Sequence, residues 1–165
     1  MAWRIEFLKR LTDHGIPFVI VGGVAAITHG TNRITEDLDI CAPLDHETAV
    51  RIIRAFSDLE PKWWVRRDLP VIKEDSANLR DLKNMYLITT WGRIDILGEV
   101  PGVGNFDEIK SRAVTMLFGE TLCQVIDLDT LIQSKKTAGR VKDKKDLREL
   151  LLIRDMLKQR KKPAG

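Results

Sequence analysis

The sequence predicts an α+β fold, a mixed α/β arrangement in which a partly antiparallel sheet is flanked by helices. Three observations carry this. Helix-like and strand-like segments mix without the strict strand–helix–strand alternation of a parallel sheet. The run Phe18-Val19-Ile20-Val21 is apolar on both faces, as a central strand is. Later strand-like segments come in pairs around tight turns, residues 84–90 with 93–97 and residues 113–118 with 121–126.

Each element has its own local reason. Trp3, Phe7, Leu8 and Leu11 fall on one stripe of a helix over residues 3–14, which Gly15 caps and Pro17 terminates. The strand at 18–21 runs into Gly22-Gly23, which opens a helix of small residues to about His29. Residues 38–41 form a second strand. Asp45 caps a third helix, with Ala49, Ile52, Ile53 and Phe56 facing inward. Short strands are expected at 63–65 and 69–72, and a polar loop at 73–83. Residues 106–110 read as one helical turn. Asp127 or Asp129 caps a helix reaching Ala138, Gly139 breaks it, and a last helix runs over about 142–157.

With 165 residues the chain is expected to form one domain, 1–165, burying about two-thirds of its unfolded surface. Residues 127–158 would be its C-terminal helical part and 159–165 a basic tail. Apolar residues at 44% and charged residues at 31% exclude disorder, collagen-like repeats and a coiled coil. No apolar run approaches the ~20 residues that span a bilayer, and the charged first turn does not suit a signal peptide. Cys41 and Cys123 lie in apolar runs and read as buried free thiols of a reducing cytoplasm. The net charge of +3 is unevenly spread. Between Lys135 and Lys162 there are 12 Lys/Arg against 4 Asp/Glu, whereas the rest of the chain is acidic. An anionic partner meeting the C-terminal part is one reading of this asymmetry, and a solvated helix with a basic tail is the other.

The chemistry concentrates between Val21 and Ile40. Side chains two apart on a strand share a face, so Leu38 and Ile40 would enter the core while Asp37 and Asp39 project together from the other side. Paired carboxylates repel unless a cation sits between them, and hard oxygen ligands suit Mg²⁺ or Mn²⁺. Asp95, flanked by Ile94 and Ile96, is a third carboxylate of the same kind. If its strand lies beside residues 38–41, the three converge as two-metal phosphoryl or nucleotidyl transfer requires. Gly22 and Gly23 would let the backbone approach phosphate oxygens at a helix start, and Arg33 could reach the same phosphates. The chain lacks the Gly-x-x-x-x-Gly-Lys loop and the three-glycine dinucleotide fingerprint.

A hydrophobic strand, a Gly-Gly helix start, Asp-x-Asp some fifteen residues on and a carboxylate on a later strand together resemble the DNA polymerase β-like nucleotidyltransferase superfamily. The ending, with Asp127-Leu128-Asp129-Thr130, Lys135-Lys136-Thr137-Ala138-Gly139-Arg140, Lys142-Asp143 and Asp146, resembles small bacterial members that include abortive-infection toxins. The resemblance implies a nucleotidyltransferase-type mixed sheet and transfer of a nucleoside monophosphate from an NTP to a hydroxyl, with release of pyrophosphate. It implies that Asp37, Asp39 and Asp95 are catalytic and hold Mg²⁺ or Mn²⁺, and that Gly22 and Gly23 cradle phosphates. Lys135 and Arg140 would face the phosphates or the acceptor. Read from the residues alone, Lys135 and its neighbour Lys136 are equal candidates to point inward, and Asp143 and Asp146 pair locally with Lys142 or Arg140.

The acceptor stays open between a tRNA or other RNA end, a small antibiotic and a protein hydroxyl. The competing readings are a non-catalytic nucleotide- or RNA-binding module and a toxin–antitoxin partner acting by protein contact. For the latter, Leu152 and Met156 lie off the main apolar stripe of the last helix, where an antitoxin or second subunit would meet them. His29 and His46 are candidate bases with structural roles as the alternative, and His14 is a helix-end residue. Trp63-Trp64-Val65-Arg66-Arg67 could stack on bases, or place one core and one rim tryptophan.

Overall fold

The computed structural model describes residues 2–160. Six helices surround a mixed seven-stranded sheet. The helices are α1 (Ala2–Asp13), α2 (Gly22–Thr28), α3 (His46–Ala55), α4 (Phe106–Lys110), α5 (Leu128–Ala138) and α6 (Val141–Arg160). The sheet runs β3 (Lys62–Trp63), β4 (Asn84–Ile88), β5 (Arg93–Leu97), β2 (Asp37–Cys41), β1 (Val19–Ile20), β9 (Thr121–Ile126) and β8 (Ala113–Phe118). Two pairings, β2 with β5 and β1 with β9, are parallel, and the other four are antiparallel. The expected α+β class is therefore the observed one.

The local signals explain most boundaries. Asp45 accepts the Thr48 N–H at 2.7 Å and Asp127 accepts the Thr130 N–H at 2.8 Å, so each caps its helix. Gly139 closes α5 in the left-handed conformation at φ 61°. Strand β1 is buried on both faces between β2 and β9, as its apolar run requires. Phe7 of α1 packs edge-on against Trp3, Phe56 and Trp91, with ring centroids 5.1 to 5.5 Å apart. Cys41 and Cys123 are buried and unpaired, and burial pushes their thiols up to about 12 and about 11.

Some expectations change. Residues 69–72 form no strand. Pro70 has no N–H to give to a ladder, and Ile72 instead donates back to the Pro61 carbonyl at 2.8 Å. The loop after it holds a single 3₁₀ turn at Ala77–Leu79. A small separate ribbon pairs β6 (Glu99–Val100) with β7 (Gly104–Asn105), a stretch to which the sequence assigns no element. Helix α6 extends through Arg160, so Gln159 and Arg160 are helical. The remainder of the basic tail, 161–165, lies outside the described residues. No helix among the described residues is long and apolar enough to cross a membrane.

Candidate active site

Strands β2 and β5 run parallel in a register that sets Asp39 level with Asp95 and Asp37 level with Arg93. Leu38, Ile40, Ile94 and Ile96 point to the core and are fully buried. The alternation then leaves Asp37, Asp39 and Asp95 on the opposite face, with one carboxylate oxygen from each within 4.8 Å of the others. Rigid strands, not loops, hold all three.

Gly22 forms the roof over Asp39. Its φ is +61°, and a Cβ there would stand 2.2 Å from Asp39 Oδ2, so both the backbone conformation and the space exclude a side chain. A Cβ on Gly23 would meet Thr35 Oγ1 at 2.6 Å. The Gly23 N–H donates to Asp39 Oδ2 at 3.4 Å, which fixes that carboxylate against the start of α2. The loop entering β2 is tied down from behind by Arg4 of α1, whose guanidinium donates to the carbonyls of Thr35 and Asp37.

The three carboxylates differ electrostatically. Burial, with Asp37 and Asp95 beside it, pushes the Asp39 carboxyl up to about 6. Burial also acts to raise Asp37, but the Thr35 hydroxyl donating at 2.8 Å and the charges of Lys142 and Arg93 outweigh it and hold Asp37 below its usual value. Asp95 lies above its usual value because burial exceeds the effect of its Arg93 partner. That partner is a two-pronged pair, Nε to Oδ1 at 2.7 Å and Nη2 to Oδ2 at 2.6 Å.

A cleft of about 390 Å³ opens over these groups. Gly22, Gly23, Arg33, Lys135 and Arg140 all line it together with the three aspartates, so every site residue expected from the sequence borders one space. They are not equally available. Lys135 is buried and donates to Asp143 at 2.9 Å and Asp146 at 2.8 Å, whereas Lys136 is exposed. Asp143 pairs with Arg140 as expected, and also with Lys135. Burial acts to raise its carboxyl, but the Arg140 and Lys135 partners hold it down at about 2. Asp146 departs from expectation, since it pairs with Lys135 and with Arg33 on the far side of the cleft. Arg33 keeps its buried Nε without a hydrogen-bond partner among the described residues, close to the place a Cβ on Gly23 would take. Arg140 remains 61% exposed.

Sequence reasoning did not single out Arg93, Asn84 or Tyr86, and named Lys142 only in the ending motif and as a local partner of Asp143 and Asp146; all four also line the cleft. Arg93 was within reach of the same period-two argument that selected Asp95. The other three depend on which strand and helix come alongside. The histidines serve the frame. His29 Nε2 lies 2.7 Å from the Ile126 carbonyl, His46 Nδ1 lies 3.1 Å from that of Leu79, and His14 Nδ1 lies 2.9 Å from that of Arg10.

No protein-family model matches the sequence, and a search of curated proteins finds no match. The fold is similar to a solved structure, that of a putative nucleotidyltransferase from Thermotoga maritima. The TM-score is 0.54, and the match covers 88% of each chain at 19% sequence identity. The two chains share a fold.

Proposed function

We propose that the protein is a divalent-metal-dependent nucleotidyltransferase moving a nucleoside monophosphate from an NTP to a hydroxyl. The observation that carries this is the convergence of three strand-borne carboxylates on one face beneath the Gly22–Gly23 turn. Carboxylate oxygens within 4.8 Å of one another are a hard donor set that suits Mg²⁺ or Mn²⁺. Asp37 and Asp39 would hold the cation, and Asp95 would complete the set. When bound, the metal neutralises charge on the triphosphate and acidifies the attacking hydroxyl.

The chain's own groups do the rest. Gly22 and Gly23 bring bare backbone close to the phosphates, and Arg33, Arg140 and Lys142 supply positive charge around the cleft. Lys135 acts from below through Asp143 and Asp146. Asp95 accepts the proton of the attacking hydroxyl. The oxygen of the acceptor bonds to the α-phosphorus, the bridge to the β-phosphate breaks, and pyrophosphate leaves.

The basic surface of α6 favours an RNA end as acceptor. A tRNA acceptor would fit the toxin-like reading of the ending, and a small antibiotic or a protein hydroxyl are the other outcomes of the same assay. A single domain over 1–165, working in the cytoplasm, with an antitoxin or a second copy on the exposed Leu152 and Met156 of α6, completes the reading. The experiment is incubation with each labelled NTP, Mg²⁺ and total cellular RNA, using Asp37→Asn as control. Transfer of label that needs both Mg²⁺ and Asp37 is expected. Label transfer that survives Asp37→Asn, or none to RNA, antibiotic or protein, overturns the proposal.

A further inference from the structure

The feature least accounted for is the cation already seated in the carboxylate cluster. Arg93 and Asp95 are two apart on β5 and therefore share its outer face. The Arg93 guanidinium folds back onto Asp95 and engages both of its oxygens, at 2.7 and 2.6 Å. Two-pronged charge-assisted pairs of this kind are the strong class of hydrogen bond. The Asp95 side chain is 8% exposed and that of Arg93 is 28% exposed, so the pair is not a solvent-screened surface bridge. A second anchor holds it. The guanidinium lies over the Trp64 ring, 4.5 Å from its centroid, and the Trp64 N–H is tied to β4 through the Tyr86 carbonyl at 2.8 Å. Releasing the arginine therefore costs two charge-assisted hydrogen bonds and the contact with the ring.

We propose that Arg93 is a built-in counter-cation that makes occupation of the Asp95 position by a divalent cation depend on the nucleotide. The inference rests on the nucleotidyltransferase reading. Both Asp95 oxygens already accept from a fixed positive charge, and Arg93 stands level with Asp37 across the β2–β5 pairing. A cation arriving at Asp95 alone meets a like charge that is held in place twice. A triphosphate changes this balance, because its negative charges join the carboxylates against the arginine. Asp37 and Asp39 then take one divalent cation without nucleotide, and the Asp95 position fills only with it. Trp64 is the positioning residue that keeps Arg93 in its seat.

Mn²⁺ binding, read by electron paramagnetic resonance of the free ion and by calorimetry, tests this with and without an α,β-methylene triphosphate. The wild type is expected to bind one Mn²⁺ without the analogue and two with it. Arg93→Gln is expected to bind two in both conditions, with the Asp95-dependent ion tightened by about tenfold or more once the opposing charge is gone. Trp64→Leu, which leaves the arginine but removes its seat, is expected to shift the same ion in the same direction by less, and stands in if Arg93→Gln does not fold. Two Mn²⁺ on the wild type without nucleotide, or variants binding as the wild type does, overturn the proposal. The underlying reading is judged separately by the first ion. If the wild type binds no Mn²⁺ in either condition, or if Asp37→Asn keeps all of it, that reading falls as well.

Discussion

In the protein alone, burial and the like charges of Asp37 and Asp95 raise the Asp39 carboxyl from 3.8 to about 6. The folded state therefore holds a proton there that the unfolded chain gives up. Stability from this group is full below about pH 4 and lost as pH rises towards 6 and beyond. At about 1.4 kcal/mol per pH unit of difference, the effect reaches about 3 kcal/mol. Asp39→Asn should remove it. In chelator, the variant's melting temperature at pH 7 is expected to exceed the wild type's, and its stability to vary less than the wild type's between pH 4 and 6. The Mg²⁺-induced rise in melting temperature should disappear. A variant that melts lower than wild type in chelator would contradict the electrostatic account. The three aspartates were legible because a strand's period of two is rigid, and Asp-x-Asp and Ile-Asp-Ile declare their own faces. Their separate pKa directions were not. Those depend on Thr35, Arg93 and Lys142, whose distances no spacing rule sets.

The hinge between α5 and α6 is built on buried charge. Lys135, Asp143 and Asp146 are each at most 6% exposed, and Arg33 reaches them from the loop before β2. Removing one member leaves an uncompensated charge, which costs about 3–5 kcal/mol for a buried pair. Asp146→Ala strands Arg33 and leaves Lys135 with Asp143 alone, so a loss of about 3 kcal/mol is expected. Urea unfolding should show the midpoint falling with an unchanged slope. Lys135→Met combined with Asp146→Leu should lose less than the sum of the two single changes, as members of one network do. Element ends were mostly readable, since Asp45, Asp127, Gly15 and Gly139 act through bonds within a few residues. The ribbon β6–β7 was not, because strands of two residues carry no period. The Arg33–Asp146 pair was not either, since it joins positions that only the completed fold brings together.

For the whole molecule, the fold class followed from irregular element order and paired strands, but the strand order did not, since nothing local says that β5 lies beside β2. The positive charge of the C-terminal part was visible from composition. If RNA is the acceptor, truncation after Leu157 should weaken RNA binding and flatten its dependence on salt by about one unit for each phosphate no longer neutralised. Triphosphate binding at the cleft should persist, and filter binding over a salt series distinguishes the two. Equal weakening of both would mean that the helix end is structural. The placement of β1 has one more consequence, which concerns synthesis. Val19 and Ile20 emerge early, yet Ile20 pairs with Val125 and Arg33 with Asp146. At about 5–20 residues per second, the central strand waits on the order of ten seconds for its second neighbour, and the cleft waits longer for its far wall. A chain stalled before α6 would carry the three aspartates without Asp146 to hold Arg33 or Lys142 to line the cleft. The ribosome thus completes the wall of the cleft only once α6 has been made.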